Sequence, residues 1–269
     1  VAQRHDGQKI IMKFSAESKL SGVIFLLGIM GIWEAVSRLE LIDPLFFPPV
    51  TKIVASCLWL AFSGEIPSQI AVSLKRATAG YLLAVAICIP LGIAMGIFNR
   101  LYQTLETIIE VLRPIPPPAV IPAAILFFGL EDAMKVFVIF FSSAWPILLN
   151  TLDGVMRIDP VLVNTARTFG LSRRESVLKV MLPATAPQIM TGLRISLGIT
   201  LILVVISEMI GSSDGIGYFI LESQRRFKVV NMYAGMLALA VLGYSLNQLF
   251  LVLQRRLLVW HEGSLNAGQ

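Results

Sequence analysis

Charge is what this sequence has least of. Asp, Glu, Lys and Arg together make up 14% of its 269 residues, where an ordinary soluble domain carries about 25%. A fully water-facing surface is thereby excluded for much of the chain. Histidine and cysteine number two each. His5 and His261 lie near the two ends, while Cys57 and Cys88 stand apart with no CxxC pattern. A metal centre, a disulfide framework and a His-dependent triad all lack the residues they need, so the cysteines read as packing residues. No G-x-x-x-x-G-K-[ST] stretch occurs, and the glycines of "GSSDGIGYF" come without the lysine of a phosphate-cradling loop. The chain is expected to bind no nucleotide or metal and to be no enzyme.

Apolar residues are abundant, at 56%, and several runs approach the roughly 20 residues that cross about 30 Å of hydrocarbon. The net charge of +5 is scattered between these runs without a basic-aromatic patch, so membrane topology explains it better than nucleic acid. The expected fold class is an all-α integral membrane protein with six transmembrane helices.

Residues 1–19 read as a polar cytoplasmic tail, and residues 20–41 as a first span with Trp33 as interface anchor. The length of that run, without a clear small-x-small site, favours an uncleaved span over a signal peptide. Residues 42–72 form an extracytoplasmic segment punctuated by Pro44, Pro48, Pro49 and Pro67, with an amphipathic helix over 51–62 resting on the membrane. The core, 73–256, holds spans at 73–98, 105–130, 133–152, 189–210 and 232–253, with a cytoplasmic loop at 155–184. Residues 257–269 form a cytoplasmic tail beyond Arg255 and Arg256. With the N-terminus inside, 14 of the 22 Lys and Arg residues fall on the cytoplasmic side, which supports an N-in, C-in topology.

The loop is finely punctuated. Asp159 is a good N-cap with Pro160 at the first helical position, and Gly170 offers the left-handed conformation that ends a helix. Ser172 with Glu175 three residues later makes a capping box, and Pro183 is expected to stop the second helix. Leu162, Ala166 and Phe169 fall on one stripe of the first helix. Such a pair either rests on anionic headgroups through Arg173, Arg174 and Lys179 or docks a cytoplasmic partner.

Candidates for a solute pathway lie elsewhere. "RPIPPPAVIP" places Pro114, Pro116, Pro117, Pro118 and Pro122 too densely for a regular helix. The third span is therefore broken or begins late, and this stretch either lines a pathway or is an interfacial loop before a helix starting near Ala119. Arg113 either offers a fixed positive charge or snorkels to the cytoplasmic interface. Glu208 is a functional candidate by its depth, or else an outer carboxylate paired with Arg225 or Arg226. Ser142, Ser143, Asn150 and Thr200 are polar groups that either hold helices together or touch solute. Arg225, Arg226 and Lys228 either meet an acidic partner outside or lie in a solvated loop.

The loop resembles that of ABC-importer permeases, whose pattern is Glu-Ala-Ala, three residues, Gly, nine residues, Ile-x-Leu-Pro. Here the slots hold Asn164-Thr165-Ala166, Gly170 and Val180-Met181-Leu182-Pro183 at the same spacing. "LFFPPVTKI", "LRPIPPPAVIPAAILFFGL", "ILLNTLDGV", "LPATAPQIMTGLRISLGI" and "SEMIGSSDGIGY" are similar, in order, to blocks of the nitrate/sulfonate/taurine/bicarbonate branch. The likeness covers residues 40 to 262.

The resemblance implies a type I importer permease of the inner membrane, which pairs with a second permease copy into a homodimer. It implies one cytoplasmic ATPase per subunit, two copies in all, docked on a loop carrying Asp159, Asn164, Thr165, Ala166, Phe169, Gly170, Ser172, Arg173, Leu182 and Pro183. Substrate arrives from an extracytoplasmic binding protein, and ATP and Mg belong to the partner ATPase. Asn164 and Thr165 replace the pattern's Glu and Ala, which removes any charge pairing by that Glu. The expected solute is a small anion, with a vitamin precursor or aromatic acid as alternatives. A stand-alone secondary transporter or channel would ordinarily show an ionisable relay deep in several spans, whereas here the charges cluster at span ends.

Overall fold

The computed structural model of the chain describes residues 21, 22 and 24–258. Every regular element among them is helical. In chain order they are α1 (24–38), α2 (Val50–Phe62), α3 (Glu65–Ile97), α4 (Asn99–Leu112), α5 (Pro117–Phe128), α6 (Asp132–Met156), α7 (Pro160–Thr168), α8 (Arg173–Ser176), a π-helical turn (Val177–Met181), α9 (Leu182–Gly211), α10 (Ile216–Arg225) and α11 (Val229–Leu257). The expected tail at 1–19 and all but the first two residues of the expected tail at 257–269 lie outside the described residues, as does part of the expected first span.

Four helical stretches are long and apolar enough to cross a membrane: α3, α6, the 39 residues from Arg173 to Gly211, and α11. α4 and α5 form a fifth candidate only as a pair bent by 98°. The bend falls where the prolines predict it. Pro116 caps α5 with Pro117 at its first position, where a missing N–H costs nothing because the first turn's donors have no intrahelical acceptor. The helix starts two residues before Ala119. α3 begins at Glu65, eight residues ahead of the expected start at 73, so its first two turns extend the span.

α6 is the centre of the bundle, with α3 on one side and α9 on the other. Glycines allow the approach: a Cβ at Gly92 would sit 2.9 Å from Thr151 Cβ, and one at Gly192 would sit 2.7 Å from the Pro146 carbonyl oxygen. Small residues at such seams let helix backbones touch where lipid provides no hydrophobic drive. One apolar cluster around Ala84, Met95, Ile147 and Leu148 fills the α3–α6 interface, and a second around Val138, Ile139, Leu203 and Val204 joins α6 to α9.

The proline-rich lead-in is tied to α1. Trp33 stacks on Phe47 at 4.5 Å and its Nε1 donates to the Pro48 carbonyl at 3.0 Å. Glu34 accepts from the Thr51 backbone N–H at 3.1 Å and so caps α2 from outside. α2 lies along α11 with Ile53 and Leu60 turned inward.

Candidate functional site

Two polar constructions stand at opposite ends of the bundle. The first is the loop between α6 and α9. Asp159 accepts from the Val161 N–H at 2.8 Å, with Pro160 opening α7. Gly170 adopts φ +74°, the Leu171 N–H donates to Ala166 O, and the Gly170 N–H donates to Arg167 O. This is the paired closure expected of a left-handed helix end. Ser172 then accepts from the Glu175 N–H while Glu175 accepts from the Ser172 N–H, a complete capping box.

Pro183 does not stop this helix. The chain continues helically from Arg173 through Pro183 to Gly211, because the turn over Val177–Met181 widens to π geometry, with the Leu182 N–H reaching back to Val177 O. A widened turn lets the proline ring avoid the carbonyl it would meet in an α-helix. The second loop helix is therefore the first part of a span.

The expected stripe on α7 also divides. Ala166 is buried, whereas Leu162, Val161 and Phe169 are exposed, Phe169 by 81%. Asn164 and Thr165 are exposed beside them, with Leu182 half-buried behind. An open cleft of about 920 Å³ separates α7 and α8 from the ends of α3 and α6. Asn164, Arg167, Arg173 and Arg174 line it, and among the described residues no carboxylate does. The result is an apolar knob beside a basic cleft on a doubly capped base.

The second construction is a buried ion network at the far ends of α3 and α9. Glu208 is completely buried, and its partner is Arg76, not Arg225 or Arg226. Arg226 pairs with Glu222 on its own helix. Arg76 is 5% exposed and reaches three carboxylates: Glu208 Oε1 at 3.0 Å through Nη1, Asp132 Oδ1 at 2.7 Å through Nε, and Asp214 Oδ1 at 2.5 Å through Nη2. Ser73 Oγ lies 2.8 Å from each oxygen of Glu208, and the Gly217 N–H donates to Oε2 at 3.0 Å. The Ile216 N–H donates to Ser73, and the Gly215 N–H to Gln69 Oε1 at 2.6 Å.

Gly215 sits at φ +99°, and a side chain there would collide with the Glu208 carboxylate. The first turn of α10 is thus laid directly on the network, its orphan N–H groups satisfied by Gln69, Ser73 and Glu208. The Arg76 guanidinium also holds the Asp214 carboxyl below its ordinary range.

The other pathway candidates do not join this group. Ser143 shares a hydrogen bond with Thr200 at 2.7 Å that ties α6 to α9, while Asn150 donates to Pro146 O at 2.8 Å one turn back within α6 itself. Arg113, Pro114 and Pro116 lie at the α4–α5 bend, where Arg113 is exposed, and Pro117 opens α5. Arg76, Ser73, Asp132 and Asp214 were missed in the sequence. Their only signal was the Lys75–Arg76 pair at the head of a long apolar stretch.

The model of the binding-protein-dependent transport system inner membrane component family matches residues 88–258. The chain belongs to that family. It is a multi-pass inner-membrane permease subunit of an ABC importer, which works with a separate ATPase subunit and a substrate-binding protein. The taurine transport system permease protein TauC of Escherichia coli strain K12 is 32% identical over 238 residues, spanning 87% of this chain and 86% of TauC. The nitrate import permease protein NrtB of Leptolyngbya laminosa is 39% identical over 181 residues, 67% of this chain and 65% of NrtB. The fold is that of the inward-facing MetNI methionine ABC transporter, with a TM-score of 0.61 at 18% identity over 69% of this chain and 92% of that one.

Proposed function

We propose that two copies of this permease enclose a translocation pathway for a small oxyanion, with both termini cytoplasmic and one ATPase docked on each α7–α8 loop. The loop's construction carries this reading. An exposed Phe169 and a basic cleft stand on a base closed at Asp159, Gly170 and Ser172, and that base is continuous with a 39-residue helix. Packed helices move as bodies between discrete arrangements, so a knob gripped by a closing partner shifts the helix it belongs to.

ATP and Mg bind to the partner, and this chain supplies the lever. Asn164 and Thr165 in the family's Glu and Ala slots leave the dock to apolar contact and to the arginines of the cleft. The solute class follows from relatives named for taurine and nitrate. The network around Arg76 positions α10 at the outer end in this reading and does not touch solute.

Copurification of the tagged chain from its native membrane, with mass identification of its partners and an ATPase assay, tests the assembly. Recovery of a second permease copy and a nucleotide-binding subunit with vanadate-sensitive activity is expected. A chain that purifies without an ATPase and transports unaided in liposomes overturns the reading.

A further inference from the structure

Between α9 and α11 lies a polar hollow that neither construction uses. Its volume is about 450 Å³, and Thr191, Arg194, Ile195, Gly198, Asn247 and Gln254 line it. Arg194 is exposed on the surface of the subunit, and its Nε donates to Asn247 Oδ1 over a long 3.3 Å. The guanidinium makes no ion pair among the described residues. Gln254 Oε1 is shut away from the surface with no hydrogen-bond partner there. Gly198 faces open space, since a Cβ at that position meets nothing within 4 Å.

Depth makes the arginine informative. At 1.5 Å per residue it stands about 18 Å from Leu182 and about 26 Å from Gly211 along α9. A hydrocarbon layer about 30 Å thick placed over the middle of that helix contains it. A charged side chain at such a depth faces protein or a water-filled cavity, because lipid does not solvate it. The hollow offers one fixed cation and two carboxamides beside the Thr191 hydroxyl, which donates to Pro187 O, and among the described residues no carboxylate lines it to cancel the cation. That donor set matches a planar or tetrahedral oxyanion, which a guanidinium engages with two parallel N–H groups. The volume lies within the usual range for small-molecule sites, about 300–1,000 Å³.

We propose that this hollow is an oxyanion-binding site on the translocation pathway, with Arg194 as the anion-holding residue and Asn247 and Gln254 as its orienting neighbours. The proposal rests on the importer reading above and names where that importer holds its cargo. A phospholipid headgroup shares the same chemistry, so the test separates it from a transported solute.

Uptake of labelled taurine, nitrate and bicarbonate is measured in cells carrying the permease with its own ATPase and binding protein. The permeases compared are wild type, Arg194→Lys, Arg194→Gln and Gly198→Leu, and ATPase copurification and bound phospholipid are measured for each. For the solute that the wild type imports, Arg194→Gln is expected to lose uptake at least tenfold and Arg194→Lys to keep part of it. Gly198→Leu, whose Cβ meets nothing within 4 Å and whose added side chain takes up room in the hollow, is also expected to lose it at least tenfold. All three variants should retain the ATPase. Uptake by Arg194→Gln within twofold of wild type overturns the site while leaving the importer intact. So does normal uptake accompanied by loss of a bound anionic phospholipid, which assigns the hollow to lipid. A wild type that holds its ATPase yet imports none of the three anions overturns the oxyanion assignment, whereas a wild type without an ATPase overturns the importer reading itself.

Discussion

Replacing Arg76 by methionine isolates the energetics of the buried network. Methionine keeps most of the volume of the side chain and removes all three ion pairs, to Glu208, Asp132 and Asp214. Asp132 and Asp214 are about half exposed and can turn to water, so their share is small. Glu208 cannot turn, because it is completely buried. Left with Ser73 and the Gly217 N–H, and with the nearby Lys135 ammonium engaged at the Leu130 carbonyl, it either stays charged without a direct ion-pair partner or takes up a proton. Breaking a buried pair from one side costs about 3–5 kcal/mol, and protonating a carboxyl of ordinary pKa 4.3 at pH 7 costs about 3.7 kcal/mol. The two routes converge, so the expected loss is about 3–4 kcal/mol.

Reversible unfolding of the purified permease in mixed detergent–SDS micelles, followed by tryptophan fluorescence, reads this loss. Glu208→Gln removes the charge itself, so the double variant Arg76→Met/Glu208→Gln should be more stable than the sum of the single losses predicts, by about 2 kcal/mol or more. A single-variant loss under about 1 kcal/mol, or strictly additive losses, refutes the view that Arg76 exists to hold Glu208.

Gly170→Val should abolish ATP-coupled uptake while leaving the spans inserted, because φ +74° costs a non-glycine residue about 1–2 kcal/mol and a β-branched one more. Uptake and protease accessibility, measured side by side, check it. Gly192→Leu should destabilise the α6–α9 seam by at least about 1–3 kcal/mol, since its Cβ would sit 2.7 Å from the Pro146 oxygen. Gly198→Leu on the same helix should leave the unfolding midpoint unchanged or raised. The depressed Asp214 carboxyl stabilises the fold above the unfolded-state value near pH 3.9, and that contribution is lost as pH falls through its lower folded value. Asp214→Asn should therefore lower the unfolding midpoint at pH 7 and narrow its gap from wild type toward pH 3, as scanning calorimetry can follow.

The parts of this fold legible in the sequence were those fixed by neighbours a few residues apart. Asp159 with Pro160, the Gly170 turn and the Ser172–Glu175 box each close a hydrogen-bond ring within five residues, so local chemistry suffices. The break before α5 was legible for the same reason, since Pro114, Pro116 and Pro117 withdraw N–H groups whatever surrounds them. Arg76 and Glu208 are 132 residues apart, and nothing local distinguishes Arg76 from the arginines nearer to Glu208 in the chain. Their pairing is set by how α3 and α9 pack, and the nearest basic residues were the wrong choice. Pro183 misled in another way. The rule that proline ends a helix assumes α geometry before it, and the π turn over Val177–Met181 removes that assumption.

That turn also governs how the two ends are connected. From Arg173 to Gly211 the chain is one helical body about 58 Å long at 1.5 Å per residue, with the capping box at one end, Arg194 between and Glu208 at the other. Along most of its course it is held against α6 by the Gly192 contact and by the Ser143–Thr200 and Ser196–Ser143 bonds. Only the stretch ahead of Leu182 stands clear of that seam, and the π turn lies within it. In the proposed cycle a displacement of α7 and α8 therefore has two outlets: bending at Val177–Met181, or tilting α9 with α6 attached. Glu175 joins Ser172 to Lys179 across the start of the turn, through bonds of 2.8 and 3.0 Å. That brace stiffens the first outlet and directs the motion into the second, toward the hollow at Arg194 and the network that seats α10.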